Sequence, residues 1–468
     1  MNAIMQNNGN RDISVQIEPE LDRFDLIPEH LNYSFSMIYK LFIDDVTSFI
    51  FDNELDRDSD FLSKILTNPK DTLGEKNYKK LFRYKGKLRK YSEQVRDALL
   101  TVINTRKQSI FLNKYDSAVL RDELYELNYL DVSNIVSPKD STIINSKNRY
   151  TTPVNTFFQE IYNVKIQGRK FSIFDQIYLS NRFYSIIFRI VALNKFKLKE
   201  NKPNDLINNW LLQYFQISNG NQIAWNFPVT VAKLIYSTIL NKFPEDDILY
   251  VGDTSLGWGG RLAGLLASMN RKSPLSKKNI VLVGTDPNFL LTEKYYQLHA
   301  YWKRNINPYL NLDLKVSTVG AEGIFEDKIF RDHKGKVHLV FSSPPYFNKE
   351  HYSYDEAQSF IKFPEFEVWL NHFLKPLIQN TYELLRPNGY FFLNISNIKG
   401  KRGVLDLITP TLIFAKDVGF KHIETYKMTM GIVQGAARKD YSTSIINQIQ
   451  IDGKRYKYEP IFQFLKEQ

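Results

Sequence analysis

Two rhythms of apolar and polar residues divide this chain. From about Asp205 onward, short apolar runs alternate with longer segments of helical period. The runs "DDILYVGD", "NIVLVGTD", "LDLKVS", "KVHLVFS" and "YFFLNIS" read as buried strands, since near-continuous apolar character fits a strand covered on both faces. The segments "NFPVTVAKLIYSTILNKF", "GGRLAGLLASM", "LLTEKYYQLHAYWKRN" and "FEVWLNHFLKPLIQNTYELL" read as helices. In the first of them a proline sits at the opening turn, where its missing N–H leaves no bond unmade. "PNDLINNWLLQYF" is a further predicted helix, capped by Asn204 or Asp205. The alternation predicts an α/β fold: a Rossmann-like, doubly wound, mostly parallel sheet with helices on both faces.

Residues 1–200 follow a different pattern and predict a mainly helical N-terminal domain, with residues 201–468 forming the α/β domain. "LNYSFSMIYKLFIDDVTSFIF", "KNYKKLFRYKGKLRKYSEQVRDALL" and "AVLRDELYELNYL" carry helical spacing. "FYSIIFRIVALNKF" is helix or strand, because its apolar run is too short for periodicity to arbitrate. The polar stretch Val132–Pro153 reads as a loop or linker, "KENKPND" as a second break, and "MNAIMQNNGNRD" as a terminal tail.

Composition narrows the chemistry. Cysteine is absent, which removes disulfides, thiolate metal sites and thiol nucleophiles. The seven histidines show no paired ligand spacing, so no metal site is expected. No run of apolar residues reaches membrane-spanning length and no secretory leader is seen, so the default expectation is a cytoplasmic protein without a membrane partner. The formal charge is +11, which suits a polyanionic partner or a merely soluble basic surface. "KNYKKLFRYKGKLRKY" interleaves cations with aromatics, and reads either as a phosphate-and-base surface or as a solvated helix face with aromatic anchors.

The predicted strand ends carry the candidate chemistry. The first runs into "GDTSLGWGGR", with Asp253 at the tip and Gly257, Gly259 and Gly260 crowding the turn. Glycines there either admit a ligand against the backbone or simply make a tight turn. The pattern is neither GxGxxG nor a phosphate loop. The second strand ends at Asp286, placed to accept from a ribose diol or to cap the following helix. The third ends near Glu322, an acceptor for an adenine edge or a solvated carboxylate. The fourth ends in Ser343-Pro344-Pro345-Tyr346. Two prolines cannot continue a central strand, so the segment is a rigid corner. Such a corner offers fixed acceptors to an NH₂ group and an aromatic face to a planar ring, or it is a proline turn with a packing tyrosine.

Taken together, these pieces resemble the S-adenosylmethionine-dependent amino-methyltransferases of DNA, over about residues 205–468. The match covers their glycine-rich motif I at Asp253–Gly260, acidic motif II at Asp286, catalytic motif IV at Ser343–Tyr346 and motif X at "NQIAWNFPVTVAKLIY". The order is similar to the gamma arrangement, and "SPPYFNKEHYSYDEAQS" resembles phage- and mobile-element-borne members. The first motif departs from the family's D-P-F-x-G-x-G form. The resemblance implies a methyltransferase fold with S-adenosylmethionine as cofactor. It implies cofactor contacts from Asn226, Phe227, Pro228, Asp253, Ser255, Gly257, Gly259, Asp286, Pro287 and Glu322. It implies methyl transfer to an exocyclic amine held by Ser343, Pro344, Pro345 and Tyr346, on a double-stranded DNA base flipped from its stack. Phe347 is the expected pocket lining, and Lys399, Lys401 and Arg402 the expected phosphate contacts. Adenine N6 is favoured slightly over cytosine N4 by the motif order. The short span between motifs I and IV leaves target recognition to residues 1–200 or the tail. Alternatives are an RNA amino-methyltransferase, a protein-glutamine methyltransferase (against which Ser343 speaks), and a catalytically silent nucleic-acid-binding subunit.

Overall fold

The computed structural model describes residues 29–31, 35–55, 58, 61, 64–65, 69–106, 117–146, 148–166, 171–193, 224–352, 356–400, 403–432 and 447–468. The expected helix at "PNDLINNWLLQYF" and the tail at residues 1–12 lie outside them.

The N-terminal region is mainly helical. Its longer helices are α1 (Phe35–Asp52), α2 (Pro69–Phe82), α3 (Lys87–Arg106), α4 (Ser117–Tyr129) and α5 (Ser180–Leu193). The segment that periodicity left open is therefore helix α5. Asp45 on α1 caps α3 from the side, accepting from the backbone N–H of Lys87 at 2.6 Å and of Leu88 at 3.0 Å. A Cβ at Gly86 would lie 2.1 Å from that carboxylate, so only glycine admits the approach. The aromatics of the basic stretch turn inward: Tyr78 and Phe82 pack on Phe188, and Tyr91 is buried with its hydroxyl on the Leu31 carbonyl. Tyr78, Phe82 and Tyr84 of that stretch are half-buried against the helical core, as the aromatic-anchor reading has it.

Thirteen strands are described: β1 (Ile143–Asn145), β2 (Lys165–Ile166), β3 (Ile248–Asp253), β4 (Asn279–Thr285), β5 (Leu312–Ser317), β6 (Val337–Ser342), β7 (Glu350–His351), β8 (Leu385–Asn394), β9 (Ile398–Gly400), β10 (Gly403–Leu405), β11 (Phe420–Ile432), β12 (Gln448–Ile451) and β13 (Lys454–Lys466). The main sheet runs β1-β11-β13-β8-β6-β3-β4-β5, with β12 also paired to β13. The five strands expected from apolar runs are β3, β4, β5, β6 and β8, and they pair in parallel. β13 is antiparallel to both β8 and β11. β1 adds in parallel to β11, so the stretch read as a loop or linker contributes an edge strand. Three residues are too few to show a period, and the partner that makes them a strand lies far along the chain.

Helices cover both faces, as a doubly wound Rossmann-like sheet requires. On one face α6 (Val229–Leu240), α7 (Gly260–Ser268) and α8 (Thr292–Asn305) pack with Leu249, Val251, Leu339 and Phe392. On the other, α9 (Lys375–Leu384) and α10 (Ile408–Val418) pack with Val340, Phe391 and Leu393. The consecutive residues Phe391, Phe392 and Leu393 alternate between the two cores, as the pleat dictates. Buried Lys233 on α6 donates to the carbonyls of Leu127, Asn128 and Leu130 at 2.7–3.0 Å and so caps α4, tying the N-terminal helices to the sheet.

From β3 the chain moves outward to β4 and β5, then returns to place β6 on the other side of β3. The carboxyl ends of β3 and β6 therefore flank the point where the strand order reverses, the position where open α/β sheets form a crevice.

Candidate functional site: one cavity between two strand ends

A cavity opens at this reversal point, with about 1410 Å³ of empty space counted out to its mouth. One half is built on the turn after β3 and the end of β4; the other on the corner after β6, the end of β8, and β11 and β13. The halves are joined at their base, where Thr254 Oγ1 donates to Ser342 Oγ at 2.9 Å.

In the first half, Asn226, Phe227, Pro228, Ser255, Gly257, Asp286, Pro287 and Glu322 all line the cavity. Asp253 and Gly259 do not, and this differs from the contacts expected of them. Asp253 is buried and binds Arg261 through both oxygens, at 2.8 Å to Nε and 3.2 Å to the guanidinium end, and it also takes the Ser255 N–H at 3.0 Å. Arg261 also reaches the Ser255 carbonyl. The ion pair fixes the turn from behind, and Arg261, not Asp253, meets the cavity. Gly259 has φ +71°, and a Cβ there would lie 2.3 Å from the Phe158 ring, so its missing side chain admits a ring of the N-terminal region. Gly260 is similarly filled by Asn226 and the Phe227 carbonyl. Gly257 differs. It has φ +57°, lines the cavity, and a Cβ there would approach only its own turn, at 3.6 Å. It is the glycine of this turn that leaves open space toward a ligand.

Asn226 is taken up by structure: its Oδ1 accepts from Gly260 N at 3.0 Å, and its Nδ2 donates to Trp258 O at 2.7 Å and Asn155 Oδ1 at 2.9 Å. Asp286 caps neither the short turn Phe289–Leu291 nor α8, so the capping alternative is not the one present. It accepts from Asn288 N at 2.9 Å and Gly257 N at 2.8 Å, and it faces the cavity. Burial lifts its carboxyl to about 6, against the pull of those two N–H groups. Glu322 is paired with Lys362 at 2.7 Å.

In the second half, Ser343, Pro344, Pro345 and Tyr346 all face the cavity. Ser343 Oγ and Tyr346 Oη each lie 3.1 Å from Asn394 Oδ1, and Tyr346 Oη lies 3.2 Å from Glu459 Oε2. Burial, then the Glu459 charge, push the Tyr346 hydroxyl well above its usual pKa, so it keeps its proton. Lys349 Nζ stands over the Tyr346 ring at 4.8 Å and 3.8 Å from Glu459. Glu350 bonds the Tyr352 hydroxyl, and burial raises its carboxyl.

The expected pocket lining at Phe347 is corrected. Its backbone is left-handed, at φ 48°, and its ring turns away into the second core, 5.4 Å from Phe366 and 5.8 Å from Trp369. It anchors the corner instead of facing it. Lys399 belongs to β9, while Lys401 and Arg402 lie outside the described residues.

Asn394, Glu459, Met428, Met430 and Arg261 line the cavity without having been read from the sequence. A polar residue closing the apolar run "YFFLN" was the available signal for Asn394. Glu459, Met428 and Met430 had none, because they reach the site only through β11 and β13. The N-terminal region also contributes to its frame: Phe158 sits on Gly259, Asn155 on Asn226, and β2 pairs antiparallel with β7 just beyond the corner.

Among the described residues no cluster of histidine and carboxylate groups suits a metal ion, and no helix is long and apolar enough to cross a membrane. No protein-family model matches the sequence, and no curated protein does either. Solved structures similar to the chain include a candidate DNA modification methylase of Thermus thermophilus complexed with S-adenosyl-L-methionine, at 18% identity and TM-score 0.23, covering 32% of this chain and 54% of that one. The match thus spans about half of the Thermus protein. A SAM-dependent O-methyltransferase of Thermotoga maritima matches at 12% identity and TM-score 0.29, over 54% of this chain and 71% of its own. A SAM-dependent methyltransferase of Methanosarcina mazei matches at 8% identity and TM-score 0.27, over 49% and 97%.

Proposed function

We propose that this protein transfers a methyl group from S-adenosylmethionine to the exocyclic amine of a DNA base flipped out of its duplex, with adenine N6 slightly favoured over cytosine N4. The observation that carries this reading is the shared cavity: the Gly257–Asp286 turn and the Ser343–Tyr346 corner open into the same space.

The first half has the parts a nucleoside-bearing donor needs. Gly257 has open space where a side chain would stand, its N–H and carbonyl being held by Asp286 and Tyr295, and Asp286 presents a carboxylate beside it for a ribose diol. Glu322 and Pro287 line the same half. The four carboxylates of the cavity, Asp286, Glu322, Glu350 and Glu459, outnumber its cations Arg261 and Lys349, which suits a positively charged donor. When bound, S-adenosylmethionine supplies an activated sulfonium methyl.

The second half orients the acceptor. Ser343 holds an amine hydrogen, and the Tyr346 ring supports the base plane once Lys349 moves off it. Stacking on an aromatic ring is worth about 1–3 kcal/mol per base, comparable to the few kcal/mol of extrusion. The prolines keep the corner in place, so alignment with the methyl is prepared before binding. In this reading residues 1–200 recognise the target, and the +11 charge adds attraction to phosphates.

Long-read sequencing of DNA from cells expressing the protein tests the proposal. Methylated adenine or cytosine in a fixed sequence context is expected, and its loss in a Tyr346→Ala variant. An unmodified genome, with methyl transfer to RNA or none at all in vitro, would replace the reading with one of its alternatives.

A further inference from the structure

The hydrogen-bond partners of the Ser343–Tyr346 corner decide what kind of group it can bind. We infer that Asn394 and Glu459 turn the Ser343 and Tyr346 hydroxyl protons away from the cavity, so that these two side chains accept hydrogens and donate none, favouring an N–H-bearing amine over a ring nitrogen or carbonyl. This deepens the proposed function and rests on it for the identity of the substrate.

Pro460 fixes the arrangement. β8 and β13 pair as far as Asn394 opposite Ile461, and Pro460 lies one residue beyond. Its carbonyl is an acceptor only, and Asn394 Nδ2 donates to it at 2.9 Å. That bond fixes which way the Asn394 amide faces, so Oδ1 is the atom turned to the wall. Two hydroxyls stand against it, Ser343 and Tyr346, each at 3.1 Å. Each hydroxyl has one proton. Tyr346 has a second acceptor in the Glu459 carboxylate at 3.2 Å. A bond to an ionised acceptor is about twice as strong as a neutral one, so the Tyr346 proton goes to Glu459. Asn394 Oδ1 is then left for the Ser343 proton. A contact of Ser343 with the Tyr346 oxygen gives the same result, since it too keeps the serine proton inside the wall.

Pro344 and Pro345 have no N–H to add. The four side chains of the corner thus present no hydrogen to the cavity, and the free lone pairs of Ser343 Oγ remain. Lys349 is a donor within reach, but it stands over the ring face that a base would occupy. Adenine and cytosine each carry one NH₂ group that satisfies such a wall and ring nitrogens that it repels. Asn394 and Glu459 act through Ser343 and Tyr346, and so are positioning residues.

Neutron diffraction of the deuterium-exchanged protein without ligands reads the polarity directly. Deuterium on Ser343 Oγ should point to Asn394 Oδ1 or Tyr346 Oη, and that on Tyr346 to Glu459; a serine deuteron aimed into the cavity overturns the inference. A double-mutant cycle reads it in turnover. Asn394→Leu and Ser343→Ala should each slow methyl transfer about tenfold or more, with donor affinity by calorimetry unchanged. The double variant should be no slower than Ser343→Ala alone. Additive losses count against it. If the native protein methylates no nucleic acid, the proposed function fails, while the neutron map still decides the wall's polarity.

Discussion

The two halves of the cavity use their conspicuous residues in opposite ways. In the donor half, most landmarks are engaged by the protein itself: Asp253 holds Arg261, Asn226 holds the Gly260 turn, and Gly259 admits Phe158. In the acceptor half, all four residues of Ser343–Tyr346 face open space. A glycine- and acid-rich turn must be built before it can bind, so its residues are divided between scaffold and ligand. A proline corner is rigid from its own covalent structure, so its serine and tyrosine face the cavity with only their hydroxyls held by Asn394 and Glu459.

Point substitutions test this contrast. The largest effect belongs to the scaffold of the donor half. Asp253→Leu leaves Arg261 charged and buried without its partner, and should cost about 3–5 kcal/mol in chemical denaturation. A loss near zero, with donor affinity falling instead, would make Asp253 a ligand contact. Next comes the acceptor half: Tyr346→Ala should lower methyl transfer about 10–100-fold through lost stacking of about 1–3 kcal/mol, and leave donor binding by calorimetry intact. Parallel loss of donor affinity would erase the distinction between the halves.

Gly259→Ala is a smaller test of the same division. It meets both a left-handed backbone, costing about 1–2 kcal/mol, and the Phe158 ring. Adding Phe158→Ala to Gly259→Ala removes the clash and leaves the backbone cost, so the double variant should be less destabilised than additivity predicts. The mildest effect is with pH. Asp286 is raised from 3.8 to about 6, so the folded protein holds its proton where the unfolded chain has released it. Stability from this group is therefore present below 3.8 and is lost as pH rises to about 6. Donor binding runs the other way, because a ribose diol prefers the ionised carboxylate. Calorimetry should show affinity about halved at pH 6 and down about tenfold at pH 5; Asp286→Ala should abolish the trend. An affinity flat across that range would remove Asp286 from the donor site.

How much of this was legible in the sequence follows the same line. β3, β4, β5, β6 and β8 were readable because strands covered on both faces are unbroken apolar runs. β11 and β13 were not, since "FKHIETYKMTMGI" and "KRYKYEPIFQFLK" mix charge and apolar residues as a partly exposed antiparallel pair does. Glu459, Met428 and Met430 were lost with them. Ser343–Tyr346 was legible because two prolines at a strand's end have few other uses. Phe347 misled because a left-handed φ at a non-glycine residue has no sequence sign, and it sends the ring to Trp369 instead of the cavity.

The most direct test of the central claim, that both halves serve one reaction, is mass spectrometry of nucleosides from duplex DNA incubated with the protein and S-adenosylmethionine carrying a deuterated methyl. Label on an exocyclic nitrogen of adenine or cytosine, lost with Tyr346→Ala, is the result expected. Label on a ring nitrogen, or none on DNA while the donor binds normally, would contradict the account.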